Sequence, residues 1–440
     1  MLKAMITAFK IPDLRRKIIF TLLMLVACRL ISHIPVPMIN VGAVKQVLDQ
    51  NAILGLLDLF SGGSLVNFSV AAMGVYPYIT ASIVMQLLQP IIPALERLSK
   101  DGEQGQQKIN RWTYWMTIPL AFLQGYAQVG MLARSAGILK IDGFSLIQPK
   151  FMLPSLAILA SMVAGTMILI WIGDLITEQG VGNGLSMIIF GGIVSRLPTM
   201  VGGLAGGGTS PMGWLGVGLF LVIGLLTIVA IVLVQEGKRE LRVQYSRRVR
   251  GTKLYGGGST TLPLRVNMAG MIPLIFAQSF MVFPGTIASY LAPAEGTVAE
   301  TWIQKAAVWV RTYFDGTHYV YWVLLFILVV FFTYFYTIVV FSQTNIAGNL
   351  RKSGGFVPGY RPGEQTEQLL NRIVNRITMV GAIFLGIVAV LPFVVQKVSR
   401  LQGQGLQLSA TSLLIVVGVA VDTMKQLEAQ LTIRRYEGFL

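Results

Sequence analysis

The hydrophobic residues of this chain fall into long, almost unbroken runs separated by short polar stretches. Two runs, GWLGVGLFLVIGLLTIVAIVLV at 213–234 and VYWVLLFILVVFFTYFYTIVVF at 320–341, contain no charged residue. A helix of about 20 apolar residues is long enough to cross the hydrocarbon core of a bilayer. The pattern predicts ten such spans, at residues 18–35, 70–89, 112–133, 151–173, 182–203, 213–235, 268–291, 320–341, 377–397 and 409–424.

The composition places the chain among membrane proteins and excludes two kinds of site. Of the 440 residues, 54% are hydrophobic and only 12% are charged, which is typical of a multi-span helical protein. The one cysteine, Cys28, excludes an internal disulfide, and with two histidines it leaves no Cys/His zinc cluster. We therefore expect an all-α membrane protein without a metal or another cofactor.

The basic residues indicate which way the chain crosses the membrane. If the N-terminus is cytoplasmic, the two tails and the loops 90–111, 174–181, 236–267 and 342–376 hold 25 of the 35 Lys and Arg residues, against 8 in the outer loops. Loops on the cytoplasmic side of membrane proteins carry such an excess. The sequence therefore predicts that both termini are cytoplasmic.

The motifs of enzymes are missing from the chain. It contains no GxxxxGK[ST] phosphate loop, no HExxH and no GxSxG. No Asp, Glu or His falls in the middle of a predicted span, although ion-coupled transporters use such groups or the carbonyls of broken helices. We expect a passive device and no enzyme, and a secondary transporter for a small solute is the alternative.

The loop 236–267 is too long and too basic for a simple connection. It contains KRELRVQYSRRVRGTKLYGGG, with eight basic residues against Glu236 and Glu240. The alternation at 242–245, the RRVRG turn and the short run at 253–255 predict a protruding hairpin, called the finger below.

The loop 342–376 contains a second predicted docking element. The prolines and glycines of VPGYRPGE force a turn with Arg361 at its tip. A helix follows with one apolar face, formed by Leu369, Leu370, Ile373 and Ile377. Both basic loops are explained either by contact with anionic lipid headgroups or by docking of a large, partly anionic body. The sculpted turn around one arginine favours docking.

The stretch 51–75 predicts a cavity on the outer side. ILGLLDLF is apolar and helix-like but too short to span, and such pieces are tolerated only inside protein or a water-filled cavity. We expect Asp58 within it to favour water over lipid. Arg29, inside the first predicted span, either snorkels to an interface or pairs internally.

Five long motifs, in this order, carry a resemblance that runs through the whole chain. They are GLLDLFSGGSLVNFSVAAMGVYPYITASIVMQLLQP at 55–90, EQGVGNGLSMIIFGGIV at 178–194, LPLRVNMAGMIPLIFAQSFMVFPGTIA at 262–288, GGFVPGYRPGEQT at 354–366 and ATSLLIVVGVAVD at 410–422. In these motifs the chain resembles the SecY/Sec61 alpha family of protein-conducting channels.

The resemblance implies a fold, a function and a set of partners. The fold has two five-helix halves, here 1–205 and 206–440, related as an inverted repeat around an hourglass pore with a plug helix. The implied function is a passive channel in the bacterial cytoplasmic membrane that moves unfolded preproteins across and releases signal and transmembrane segments sideways into lipid. The implied partners are the small subunits SecE and SecG, the SecA motor ATPase, the ribosome with its rRNA, preproteins and membrane lipids.

The resemblance also assigns roles to residues by position. It places a constriction ring, the pore ring, at Ile79, Ile83, Leu185, Ile189, Ile275 and Ile415. It places the plug at Gly55, Leu56, Leu57, Asp58, Leu59, Phe60, Ser61, Gly62, Gly63, Ser64, Leu65, Val66 and Asn67. It places motor or ribosome docking at Arg242, Arg247, Arg248, Arg250, Lys253 and Arg361. Lateral-gate candidates are Gln86, Gln124, Gln278 and Phe283.

Overall fold

The structure is a computed structural model of the full chain. The structure describes residues 9, 11–44, 58, 61–133, 144, 148–206, 211–245, 248–250, 253–255, 258–270, 272–291, 301–314, 318–399 and 404–437. The helices up to the finger are α1 Pro12–Ile31, α2 Tyr76–Leu88, α3 Pro93–Lys100, α4 Glu103–Ala133, α5 Pro149–Gln179, α6 Gly184–Gly206 and α7 Pro211–Glu236. The later helices are α8 Ile272–Leu291, α9 Trp302–Tyr313, α10 Tyr319–Thr344, α11 Ile346–Lys352, α12 Glu364–Ser399 and α13 Gln404–Glu437.

Each of the ten predicted spans overlaps one helix of the structure. Within the described residues, three stretches are long and apolar enough to cross a membrane, at Pro149–Gln179, Tyr319–Lys352 and Glu364–Leu391. A fourth is added if Tyr76–Leu88 and Pro93–Ser99, which meet at a bend of 104°, form one broken span. The membrane-protein class follows from these helices, and the count of ten spans stays a prediction.

The start of the second predicted span is wrong by six residues. The pattern places it at residue 70, but α2 begins at Tyr76, and residues 70–75 form turns. Gly74 has a φ of +56°, which lies outside the right-handed helical region. Pro77 then lies in the first turn of α2, where its missing N–H leaves no helical hydrogen bond unmade.

The helices pack in two groups that follow the order of the chain. In the first group α4 packs on α2 and α5, and α5 packs on α1 and α6. In the second group α10 packs on α8 and α12, and α13 packs on α7 and α12. The main contacts between the groups are α6 with α13 on one side, and α8 with α2 and α4 on the other.

The finger is present as predicted, and a third strand joins it from the second docking loop. Strand β1 Lys238–Tyr245 pairs with β4 Gly258–Arg265 in antiparallel register, and the short strands β2 Arg248–Arg250 and β3 Lys253–Tyr255 pair beyond them. Strand β5 Gly355–Phe356, from the second docking loop, adds to the free edge of β1. The two predicted docking loops therefore form one folded unit.

Candidate functional site

The six residues of the predicted pore ring come together in one hydrophobic cluster. Ile79 and Ile83 from α2, Ile189 from α6, Ile275 from α8 and Ile415 from α13 are all buried in it. Leu185 is half-buried and packs against the same cluster. The two pairs with i, i+4 spacing each present one helix face. Branched aliphatic side chains from both groups of helices therefore share one buried cluster.

The plug segment is described only at Asp58 and from Ser61 onward, so its apolar helix-like piece lies outside the described residues. The expectation that Asp58 favours water is wrong, because its side chain is buried. Its Oδ1 accepts hydrogen bonds of 3.1 Å from the backbone N–H groups of both Leu65 and Val66. A carboxylate that accepts backbone N–H groups replaces hydration with fixed donors. Asp58 thus closes the turn that ends the plug.

This turn is fastened to the first group of helices through the backbone. Leu65 and Phe68 are fully buried in a second hydrophobic cluster, with residues of α4, α5 and the segment after α1. The N–H of Val36 donates to the carbonyl of Phe68 over 2.9 Å, and the N–H of Val70 donates to the carbonyl of Ile34 over 2.9 Å. The C-terminal end of the plug is consequently an integral part of the bundle.

Arg29 and two glycines form a contact that we call the plug latch. The guanidinium of Arg29 donates to the carbonyl of Gly62 over 2.7 Å and also to the hydroxyl of Ser195 on α6. Gly62 lies directly on Gly192 of α6, where a Cβ on Gly192 would come within 2.5 Å of the Gly62 Cα. Gly62 also has a φ of +66°, which favours glycine. Arg29 therefore pairs internally, and the backbones of plug and α6 touch.

The lateral-gate candidates have different surroundings. Gln124 donates to the hydroxyl of Thr80 on α2 over 3.3 Å, and Gln278 is buried on α8. Among the described residues, the side-chain oxygens of these two glutamines and of Gln86 have no hydrogen-bond partner, which is uncommon for buried polar atoms. Gln86 donates to Ser82 on its own helix, and the side chain of Phe283 lies outside the described residues.

A tyrosine that the sequence reasoning missed makes the hydrogen bond between α2 and α8. The hydroxyl of Tyr76, a buried residue, donates to the backbone carbonyl of Ser279 over 2.8 Å. The two residues are 203 positions apart in the chain, so no local pattern pairs them. Only the Tyr-Pro at the start of a span marks the position as unusual.

The finger and the second docking loop share a small core. Val243 of β1, Leu350 of α11 and Val357 are buried against one another. The predicted apolar face of α12 is confirmed, since Leu370 and Ile373 are buried against Leu264 of β4. This packing gives the loop and the finger one rigid base.

Arg361 is exposed at a turn whose backbone is held in place. Thr366, which is buried, donates its hydroxyl to the carbonyl of Arg361 over 2.8 Å. Gly359 and Gly363, on either side, have φ values of +87° and +113°, in a region that suits glycine. The predicted turn is confirmed.

The basic residues of the finger are described unevenly. Arg242 is exposed on β1. Arg248, Arg250 and Lys253 lie on the tip strands, but only their backbones are described, and Arg247 lies outside the described residues.

A cavity of about 420 Å³ lies between the start of the finger and the pore ring. Its lining includes Arg265 at the end of β4, Ile275 of the pore ring and Asp422 of α13. At its rim Lys425 of α13 forms a 3.0 Å ion pair with Glu236 and donates to the carbonyl of Gln235 over 3.1 Å. The helix that carries Ile415 is thus attached to the end of α7, where the finger begins.

Comparison with known proteins gives a single family. The profile of the SecY family matches residues 69–424. The "Protein translocase subunit SecY" of Thermotoga maritima is 40% identical over 447 aligned residues, which cover 100% of this chain and 98% of that protein.

Two solved structures share the fold. One is a SecY protein described for a plug domain that stabilises the closed state and maintains a membrane seal, with a TM-score of 0.62. The other is Sec61 in the canine ribosome–channel complex from the endoplasmic reticulum, with a TM-score of 0.61. Each is 16% identical, and each alignment covers 94% of this chain and 92% of the other. On the family profile and the full-length relative, the chain belongs to the SecY family.

Proposed function

We propose that this protein is a passive protein-conducting channel of the bacterial cytoplasmic membrane. It moves unfolded preproteins through the pore ring and releases signal and transmembrane segments sideways into lipid. The observation that carries the proposal is the convergence of the six ring residues, from four helices of both groups, in one apolar cluster. An aliphatic ring seals against ions by dewetting and offers no hydrogen bonds to the passing chain.

The plug latch supports a closed resting arrangement. The described end of the plug is packed on α6, the helix that carries Leu185 and Ile189 of the pore ring. In the SecY protein with the same fold, the plug domain stabilises the closed state of the channel. We infer the same role for the plug of this chain, which has to leave Gly192 before a polypeptide passes.

The contact of α8 with α2 and α4 supports the lateral exit. Here helices of the two groups meet directly, and the hydroxyl of Tyr76 on α2 donates across this contact to the carbonyl of Ser279 on α8. Helices that belong to different groups can separate at this seam without loss of the packing inside either group. The unpaired amide oxygens of Gln124 and Gln278 are available to a chain that enters the seam.

The joined finger and Arg361 turn support a docking surface for the driving partner. The partner is the SecA motor or a ribosome, whose rRNA phosphates match exposed arginines. The fold neighbour Sec61 is found in a ribosome–channel complex. The orientation follows from the basic loops, with both termini, the finger and Arg361 in the cytoplasm, and SecE and SecG complete the membrane complex.

The ion pair of Lys425 supports a route from docking to the pore ring. Lys425 lies ten residues beyond Ile415 on the same helix, which is about 15 Å along its axis. Because it is bonded at the point where the finger begins, a partner that moves the finger also moves α13.

The test is substitution of the pore ring in reconstituted vesicles. We expect Ile275→Asn, alone and with Ile79→Asn and Ile83→Asn, to make the resting channel leak ions and accept preproteins with defective signal sequences. The control is Ile158→Asn, at a fully buried isoleucine of the second cluster. If the protein were a solute transporter, the ring variants would lose solute uptake without an ion leak. A ring variant that does not leak ions and exports preproteins normally would contradict the proposal.

A further inference from the structure

The short helix α9 lies between two long helices of the second group, α8 and α10. It begins with a capping box at Thr301, whose backbone N–H donates to the side chain of Gln304 over 3.3 Å. It follows the end of α8, whereas the finger precedes the start of α8. The helix therefore lies at the end of the bundle remote from the finger.

The exposed face of α9 carries two tryptophans. Trp302 is 76% exposed and Trp309 is 59% exposed. They are seven residues apart, which places them on one face of a helix with 3.6 residues per turn. Ala307, on another face, is buried. Large apolar side chains that are exposed together on one face, unlike single scattered ones, mark an interaction site.

A ladder of aromatic rings joins this face to a membrane-spanning helix. The ring centroids lie 4.7 Å apart for Trp309 and Tyr313, 5.1 Å for Tyr313 and His318, and 5.3 Å for His318 and Tyr319. Tyr319 is 64% exposed and is the first residue of α10, which begins a stretch long and apolar enough to cross a bilayer. The exposed aromatic surface of α9 is therefore continuous with the lipid-facing surface of α10 at the end of that helix.

That end is the depth at which tryptophan and tyrosine side chains gather in membrane proteins, because an apolar ring and a polar edge suit the boundary between acyl chains and headgroups. Lys305 is exposed on α9, where its ammonium matches lipid phosphate. We propose that α9 lies in the plane of the membrane, with Trp302 and Trp309 inserted into the headgroup layer of the leaflet remote from the finger. Because α9 packs along α8, it anchors that end of α8 to the lipid.

The depth of α9 is measured with spin labels in vesicles of phosphatidylglycerol and phosphatidylethanolamine. Cys28 is the only cysteine and is buried, so Cys28→Ser gives a background for single labels. The test positions are Trp302→Cys and Trp309→Cys. The references are Phe331→Cys, at an exposed position within α10, and Tyr360→Cys, next to Arg361.

The collision rate of each spin label is measured with dissolved oxygen, which concentrates in the acyl chains, and with a nickel complex, which stays in water. The ratio of the two rates reports the depth of the label. We expect the two α9 labels to lie between the references, at headgroup depth. Labels as open to nickel as the one at residue 360 would overturn the proposal, since α9 would then face water. Labels shielded from both reagents would also overturn it, since a protein surface would then cover the helix.

The anchoring of α8 is tested by the mobility of a label at Ile287→Cys, an exposed position near the end of α8. We expect the double substitution Trp302→Gln and Trp309→Gln to increase that mobility. Trp171→Gln on α5 is the matched control, because Trp171 is 61% exposed, as much as Trp309. Equal mobility in both variants would show that lipid contact of α9 does not hold α8. Neither measurement depends on protein transport, so a failure here leaves the channel proposal standing.

Discussion

The plug end and the docking surface are built in opposite ways. At the plug, the contact depends on glycines, since Gly62 and Gly192 have no side chains and let two backbones touch. At the docking surface, the contact depends on long charged side chains, since Arg242 and Arg361 are exposed on the joined finger and loop. A seal has to exclude everything, whereas a docking surface has to offer charge to a partner. The comparison predicts that the plug is sensitive to added volume and the docking surface to changed charge.

The largest effect is expected from added volume at the plug latch. The new Cβ of Gly192→Ala would lie 2.5 Å from the Gly62 Cα, so the plug has to shift. Overpacking of this kind costs about 1–3 kcal/mol, which changes an open–closed equilibrium by roughly 5- to 150-fold. We expect an ion leak from resting channels and export of preproteins with weak signal sequences.

Gly191→Ala is the matched control for this variant. The added Cβ there would meet Leu25 Cδ2 at 3.0 Å, and this methyl ends a flexible side chain that can move away. Equal leakage from both variants would contradict the plug latch, because it would report a general disturbance of α6.

The next effect is expected from reversed charge at the docking surface. Arg361→Glu leaves the turn intact, because Thr366 holds the backbone and the side chain is exposed. A like charge that faces an anionic partner costs several kcal/mol. We expect binding of SecA or of ribosomes to weaken by at least about tenfold, while resting ion conductance stays unchanged.

Arg351→Glu, at an exposed arginine of α11, carries the same change of net charge near the same surface. If it weakens partner binding as much as Arg361→Glu, general electrostatic attraction explains both results, and Arg361 has no special place.

A region could be predicted from the sequence where it is formed by residues that are close together in the chain. The finger follows from alternating residues and the Arg361 turn from prolines and glycines, and both are present. The pairing of β5 with β1 was not predictable, because two residues from a distant loop complete that edge. The plug latch was not predictable either, since a glycine carries no signal of what approaches it.

The pore ring shows a different limit. Isoleucine and leucine inside a span are ordinary packing residues, so the six positions stood out only through resemblance to a family. The structure adds that they converge in one cluster. The prediction that Asp58 favours water was wrong, because its charge alone does not reveal that two backbone N–H groups donate to its carboxylate.

A smaller effect is expected from Arg29→Gln, which weakens the plug latch without added volume. A hydrogen bond to a charged group contributes about 1.5–3 kcal/mol, and glutamine keeps part of it. Ion leakage measured for Arg29→Gln, Gly192→Ala and the double variant tests whether the two sites act together. We expect the double variant to leak less than the sum of the two free-energy changes predicts. Once one substitution has displaced the plug, the contact that the other substitution affects is already broken. Strict additivity would mean that Arg29 stabilises α1 and α6 independently of the plug.

The smallest effect is expected from Tyr76→Phe at the seam between α2 and α8. The variant removes one buried hydrogen bond, to the carbonyl of Ser279, and keeps the ring. The loss of about 1 kcal/mol should favour seam opening by roughly fivefold, measured as the export rate of a preprotein with a weakened signal sequence. Tyr78→Phe is the control, because Tyr78 contacts Tyr114 within the first group of helices, at 5.5 Å between ring centroids. Faster export in the Tyr78 variant as well would assign the effect to α2 itself, whereas faster export in the Tyr76 variant alone would identify a hydroxyl that holds the two halves of the channel together.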